Sequence, residues 1–194
     1  MCEGYYLRQL RNHLEGRDLE QTTVVGGLDI SKHAIRVAAK RDPRGLYAVA
    51  SVYGMPILPG RVDVLLSHFS SVTVEDFKRV VHEDGVVLIG GPGERHLFRL
   101  KELLYDAAAE HQPAGPLLGA SGFQLIETRR IRYEVAIRGR GQVAQLLLMT
   151  PFYWSVSRET QETIAQLDSL DTEVDVIVHA YRRVPSARGD KSTL

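Results

Sequence analysis

Gly27-Leu28-Asp29-Ile30-Ser31 closes a short β-branched run that starts at Thr22, and a helix opens directly behind it. A short apolar run without alternation reads as a strand buried on both faces. Ser31 reads as the helix N-cap, and Ala34, Ile35, Ala38 and Ala39 supply the apolar stripe. A carboxylate just past a buried strand stands over the carboxyl edge of the sheet, where doubly wound α/β proteins use it to accept both hydroxyls of a ribose. Charge-assisted bonds of this kind contribute roughly 1.5–3 kcal/mol each. Asp29, with Ile30 beside it, is therefore a candidate ligand for an adenosine-type cofactor; the structural alternative is an acid that serves the helix start.

Outward from this point the chain alternates. Tyr5 to Glu15 reads as a helix with Tyr6, Leu7, Leu10 and Leu14 on one face, stopped at Gly16. Leu46 to Ala50 and Arg61 to Phe69 read as strands, and Val74 to Val81 as a short helix broken at Asp84-Gly85. Val86 to Ile89 is another buried strand, followed by Gly90-Gly91-Pro92-Gly93 and a helix expected from about Glu94 to Glu110. Strand and helix in turn, with short connections, predict a parallel sheet covered on both sides. The pattern then changes. Phe123 to Ile137 and Glu173 to Arg183 alternate polar and apolar residues, with helices at Val143 to Met149 and Thr160 to Leu167 between them. That predicts an antiparallel hairpin at the sheet edge. The expected architecture is α/β, Rossmann-like and mostly parallel, in one domain over residues 1–184, with a disordered polar tail over 185–194 that holds the chance triplet Arg188-Gly189-Asp190.

The bulk composition narrows the classes. Lys plus Arg and Asp plus Glu are 24 each in 194 residues, so no global basicity advertises nucleic acid. One cysteine, Cys2, excludes an internal disulfide and a Cys-rich zinc module within this stretch, and no metal site is expected. No apolar run approaches the roughly 18–20 residues of a membrane span, and a cytoplasmic setting fits.

The remaining candidates follow the strand ends. Glu3 and Gly4 would let the backbone approach the cofactor, with the first helix supplying amide donors. Ser51 and Val52 end the third expected element, where the adenine edge would lie, and Ser67-His68-Phe69 end the fourth. Phe69 could pack on a target base and His68 could hydrogen-bond it. Gly90 to Gly93 lacks the G-x-G-x-x-G spacing of a dinucleotide loop. Arg95 and His96 at the next helix start suit either a phosphate or the helix itself. Arg129, Arg130, Arg132, Arg138 and Arg140 form the one dense basic cluster, an RNA-phosphate contact or a solvated strand face. Met149-Thr150-Pro151-Phe152-Tyr153-Trp154 holds three adjacent aromatics that suit a base pocket or a core.

Several of these stretches occur together in one family. Glu3-Gly4-Tyr5-Tyr6, Gly27 to Lys32, Ala38-Ala39-Lys40-Arg41, Pro92 to Leu97 and Met149-Thr150-Pro151-Phe152, in that order, closely resemble bacterial large-subunit ribosomal RNA guanine-N(1) methyltransferases over about residues 2–183. The resemblance implies a class I S-adenosylmethionine (AdoMet)-dependent methyltransferase fold and a guanine in ribosomal RNA as target. It makes Glu3 and Gly4 the remainder of the glycine-rich first motif, puts Asp29 on the ribose, and puts Ser51 and Val52 at the adenine. Ser67 then joins the cofactor set, Phe69 replaces a tyrosine, and Thr150, Pro151, Phe152 and Trp154 belong to the target-side wall. A homodimer is a further expectation. Departures stand beside this: no zinc module, no first strand, Cys2 in place of a motif glycine, and Ser71 in place of a proline. A missing central strand of four or five aliphatics, at roughly 1.5–3 kcal/mol each, amounts to the net stability of a domain. The expectation is thus a start placed too far downstream, and little or no methyl transfer from this stretch by itself. A small-molecule methyltransferase, an inactive remnant or RNA-binding module, and an NAD-linked oxidoreductase are the rival readings.

Overall fold

The computed structural model of the protein describes residues 4–14, 23–112 and 115–185. Cys2, Glu3 and residues 186–194 lie outside them, and so do the expectations placed there. In chain order the elements are α1 (Tyr5–Leu14), β1 (Gly26–Asp29), α2 (Lys32–Arg41), β2 (Leu46–Val49), β3 (Val62–His68), α3 (Val74–Val80), β4 (Val81–Pro92), α4 (Phe98–Leu104), β5 (Phe123–Arg138), α5 (Gln142–Leu148), α6 (Arg158–Ala165) and β6 (Ser169–Arg183). Short 3-10 turns cover Val52–Gly54 and Pro151–Trp154. The chain divides into two compact units, one of residues 1–87, 120–122 and 183–194, the other of 88–119 and 123–182.

In the first unit β1 and β2 form a parallel pair with Gly26 opposite Leu46 and Asp29 opposite Val49. The pairing needs glycine at position 26, because a Cβ there would stand 2.7 Å from the Leu46 carbonyl oxygen. Ser31 caps α2 as expected: its Oγ accepts the Ala34 N–H at 3.2 Å. Ile35 and Ala38 bury the inner face of that helix. At its other end Asp42 accepts hydrogen bonds from Arg11 Nε and the Tyr47 hydroxyl, both at 3.0 Å, which ties α1, α2 and β2 together. Burial opposes the Asp42 charge, yet these two bonds hold its carboxyl below the usual range.

Hydrogen-bonded strand order is β1-β2 in one sheet and β3-β4-β6-β5 in the other. The expected mixture of a parallel part and an antiparallel hairpin forms, with the strands divided between two hydrogen-bonded sheets. Val24, Leu46, Val64 and Leu66 are exposed. Among the described residues β1 and β3 share no hydrogen-bonded neighbour. A correction concerns Asp84-Gly85. It is a kink inside β4, with Asp84 at φ 68°, and not a break between elements. Val80 and Val81 are both buried, so the chain enters the strand directly from α3.

In the second unit β5 and β6 pair antiparallel. Thr128 meets His179, Arg130 meets Asp175, Arg132 meets Glu173 and Arg138 meets Asp171, so partner numbers fall as β5 advances. This is the expected hairpin. Its core joins Leu97, Leu100, Val143, Leu147, Ile164 and Leu170. The helix expected over Glu94 to Glu110 shrinks to Phe98–Leu104. The N–H groups of Gly93 and Leu97 are drawn to the carbonyls of Asp175 and Glu173 at 2.8 Å, and Leu97 takes φ 52°, which delays the helix start.

Candidate active site

The first unit gathers the strand-end residues singled out in the sequence. Asp29 ends β1, and its carbonyl accepts the Ala50 N–H at 3.1 Å, so the ends of β1 and β2 advance together. One carboxylate oxygen accepts the Ser31 N–H at 2.9 Å. Burial raises the Asp29 pKa, but hydrogen bonds that include the Ser31 and Ile30 N–H groups win and leave it below its ordinary value. The group is a fixed, ionised acceptor at the carboxyl end of a parallel pair. Ile30 projects beside it, exposed. Ser51 turns its Oγ onto the Tyr53 N–H at 3.2 Å, opening the turn that carries Val52. An adenine edge at this place would meet the backbone of Val52 more readily than the Ser51 hydroxyl. Ser67 is buried near the end of β3.

Beyond Ser67 the chain ends β3 in a row of rings. The Tyr6 hydroxyl lies 2.9 Å from His68 Nε2, and the two rings meet edge-on at 4.5 Å. Tyr5 extends the row on one side and Phe69, at φ 47°, on the other. Burial lowers the His68 pKa, so its ring is neutral at pH 7 and has a lone pair for a proton. Sequence periodicity had assigned Tyr6 to a helix face; the missing signal is its contact with His68, 62 residues away. Gly4 has a structural reason of its own. At φ 77° its Cβ would come 3.0 Å from the Cβ of Ala38.

The second unit holds the other candidates. Arg95 donates from Nε to Glu173 at 2.9 Å and from Nη1 to Glu110 at 3.1 Å, while its guanidinium lies 4.3 Å from the Phe98 ring centroid. His96 Nδ1 accepts the Asp175 N–H at 3.3 Å. Both side chains are engaged with protein. The basic cluster is engaged too: Arg129 pairs with Glu127, Arg130 with Asp175 and Glu94, Arg132 with Glu173 and Arg138 with Asp171, while Arg140 meets Gln166. A buried centre that the alternation concealed is Asp175, fully inaccessible and gripped by the Arg130 fork.

Thr150 bonds its Oγ1 to the Leu147 carbonyl at 2.8 Å, and Pro151 opens the turn after α5. Phe152 packs against Tyr105 and beneath Lys101 Nζ. Trp154 stands edge-on to Tyr153 at 5.0 Å and is 82% exposed. A cleft of about 350 Å³ runs between α5 and α6, lined by Gln145, Leu148, Tyr153 and Arg158 among others. A smaller one of about 70 Å³ touches Ile89, His111 and His179. Both clefts belong to the second unit, and Asp29 lines neither. No helix of the described residues is long and apolar enough to cross a membrane.

Comparison with known proteins supports the resemblance read from the sequence. No family model matches. The chain is 30% identical over 178 residues to a Bacillus subtilis (strain 168) protein provisionally named 23S rRNA (guanine-N(1)-)-methyltransferase YxjB, covering 90% of this chain and 61% of that one. It is 27% identical over 147 residues to the 23S rRNA (guanine(748)-N(1))-methyltransferase of Streptomyces fradiae, covering 73% and 52%. The chain thus spans between about half and three-fifths of the length of the curated relatives it matches. Among solved structures it resembles an S-adenosylmethionine dependent methyltransferase from Mesorhizobium loti, with a TM-score of 0.51, 14% identity and coverage of 93% and 87%. It also resembles the [4+2]-cyclase SpnF, with a TM-score of 0.55, 12% identity and coverage of 94% and 72%. The fold is the class I methyltransferase fold, with a parallel part and an antiparallel hairpin. One architecture serves a methyltransferase and a cyclase, so the chemistry has to be argued from residues.

Proposed function

We propose that this chain carries the catalytic portion of an AdoMet-dependent methyltransferase that acts on N1 of a guanine in 23S ribosomal RNA. The observation that carries the reading is Asp29: an ionised carboxylate at the carboxyl end of a parallel strand pair, in a class I methyltransferase fold. The relatives' names supply the target. The residues fit the cofactor. Asp29 is assigned as the anionic acceptor for two ribose hydroxyls and the Val52 backbone to the adenine edge, with Gly4, Ile30 and Ser67, and Glu3 by its place in the sequence, assigned to the same set.

When bound, AdoMet supplies a methyl group already activated on a sulfonium, so the chain contributes alignment and exclusion of water. Asp29 fixes the sugar. His68, kept neutral by burial, takes the proton that the guanine ring loses from N1. Phe69 and Tyr6 flank that imidazole edge-on. In the second unit Thr150, Pro151, Phe152 and Trp154 are assigned to the RNA, Trp154 through stacking on an unpaired base. Arg95 and His96 would meet RNA only by exchanging the partners they now hold.

Equilibrium dialysis with labelled AdoMet tests the cofactor half. S-adenosylhomocysteine should displace the label, NADH should not, and Asp29→Ala should weaken binding at least about tenfold, the equivalent of one charge-assisted bond. Displacement by NADH, or unchanged affinity in Asp29→Ala, refutes the reading.

A further inference from the structure

Helix α2 breaks a charge rule that α3, α4 and α6 keep. Positive groups are unfavourable in the first turn of a helix, and like charges four residues apart repel. α3 opens on Glu75 and Asp76 and closes on Lys78 and Arg79. In α3, α4 and α6 an arginine pairs with an acid of its own helix: Arg79 with Asp76, Arg99 with Glu102 and Arg158 with Glu162. α2 holds no acid, starts on Lys32 and His33, and carries further cations at Arg36, Lys40 and Arg41.

Lys32, Arg36 and Lys40 are exposed and stand four residues apart, so they share one face over about 12 Å of helix axis. Among the described residues none of the three has an ion-pair or hydrogen-bond partner. The arginines of β5 differ, because acids of the same chain already hold them. The apolar side of α2 is turned inward, with Ile35 and Ala38 buried and Ala34, Val37 and Ala39 half-buried. The stripe therefore has no apolar flank of its own to enter a lipid surface. Regularly spaced cations without apolar neighbours match a polyanion whose charges are also regularly spaced, as in a nucleic-acid backbone.

We infer that the exposed face of α2 binds the phosphate backbone of the RNA, with Lys32, Arg36 and Lys40 each neutralising one phosphate. The inference rests on the reading of ribosomal RNA as the target. The stripe starts three residues past Asp29, whose carboxylate accepts the Ser31 N–H at the head of the same helix. RNA held along α2 is thereby held beside the end of β1 to which the ribose of the cofactor is assigned. Phosphate contacts position a nucleic acid without reading its sequence. α2 thus sets affinity and approach, and the choice of nucleotide is made elsewhere.

Filter binding of a 23S rRNA fragment to the chain, from about 50 to 200 mM salt, tests the assignment. Three phosphate contacts contribute about 2 to 3 to the slope of log affinity against log salt. The triple variant Lys32→Gln, Arg36→Gln, Lys40→Gln should lose that much slope and bind at least about tenfold more weakly at the lower salt. A control variant, Arg99→Gln, Arg129→Gln, Arg138→Gln, removes the same charge from exposed positions that have acidic partners, and should change the slope by less than about 1. In urea the α2 variant should unfold at the same or a higher concentration, because like charges four residues apart are removed. An unchanged slope in the α2 variant, an equal loss in the control, or earlier unfolding of the α2 variant overturns the inference alone. Absence of RNA binding by the unaltered chain overturns the reading of the target along with it. Phosphatidylserine vesicles that bind the chain and are released by the α2 substitutions, while RNA stays bound, assign the stripe to a membrane and overturn the inference as well.

Discussion

Replacing Asp175 with alanine should destabilise the chain by about 3 kcal/mol, the low end of what breaking a buried ion pair costs. The carboxylate is fully inaccessible. Arg130 reaches both of its oxygens, Nε to Oδ1 and Nη2 to Oδ2, each at 2.8 Å, and the Arg95 N–H adds a third bond at 2.9 Å. The Arg130 hydrogen bonds outweigh burial and hold the Asp175 pKa down to about 2, against an ordinary 3.8. That difference favours the charged form in the folded state, on the order of 2 kcal/mol. The folded pKa is the depressed one, so this stability is present in full above about pH 4 and disappears as pH falls from there through 2. Asp175→Asn should flatten this acid slope. The pair is also asymmetric. Arg130 is 39% exposed and can turn to water, whereas Asp175 is sealed, so Arg130→Ala should cost more than Asp175→Ala. Urea unfolding at pH 7, repeated from pH 5 to pH 2, measures all three variants. A loss under 1 kcal/mol for Asp175→Ala, or an acid slope unchanged in Asp175→Asn, would refute this reasoning.

Other expectations follow from the same geometry. Gly93→Ala would drive a Cβ to 2.5 Å from Asp175, which its partners hold in place, and should cost about 1–3 kcal/mol by urea unfolding. Asp42→Ala should release α1, since it removes the acceptor shared by Arg11 and Tyr47; limited proteolysis near Tyr5–Leu14 should accelerate while the second unit stays resistant. Trp154→Ala should leave stability within about 0.5 kcal/mol, because the ring is exposed, and should weaken binding of a 23S rRNA fragment by tenfold or so, as loss of one stacked base would. Filter binding of the fragment checks that last figure, and unchanged affinity removes Trp154 from the RNA surface.

Local chemistry made much of this legible in the chain. Ser31 announces its cap because the acceptor and the Ala34 donor are three residues apart, and Asp29 announces itself by ending a β-branched run. The β5–β6 hairpin was readable because polar and apolar residues alternate over both strands. What escaped depends on distant partners. Helical spacing over Glu94 to Glu110 cannot register that Asp175 and Glu173 claim the backbone N–H groups of Gly93, Arg95 and Leu97. An acid between two valines reads as solvent-facing until Arg130 is placed opposite it. The basic cluster looked available for RNA because the acids that pair with it lie mostly on β6, some 30–45 residues further along the chain.

The place of the cofactor is the central claim, and amide chemical-shift mapping during titration with S-adenosylhomocysteine tests it most directly. The largest perturbations should fall at Asp29 and Ile30, at Ser51 and Val52, and from Ser67 to Phe69, with the response at Asp29 and Ile30 lost in Asp29→Ala. Perturbations centred on Gly90 to Gly93, with the β1 and β2 ends silent, would contradict the account.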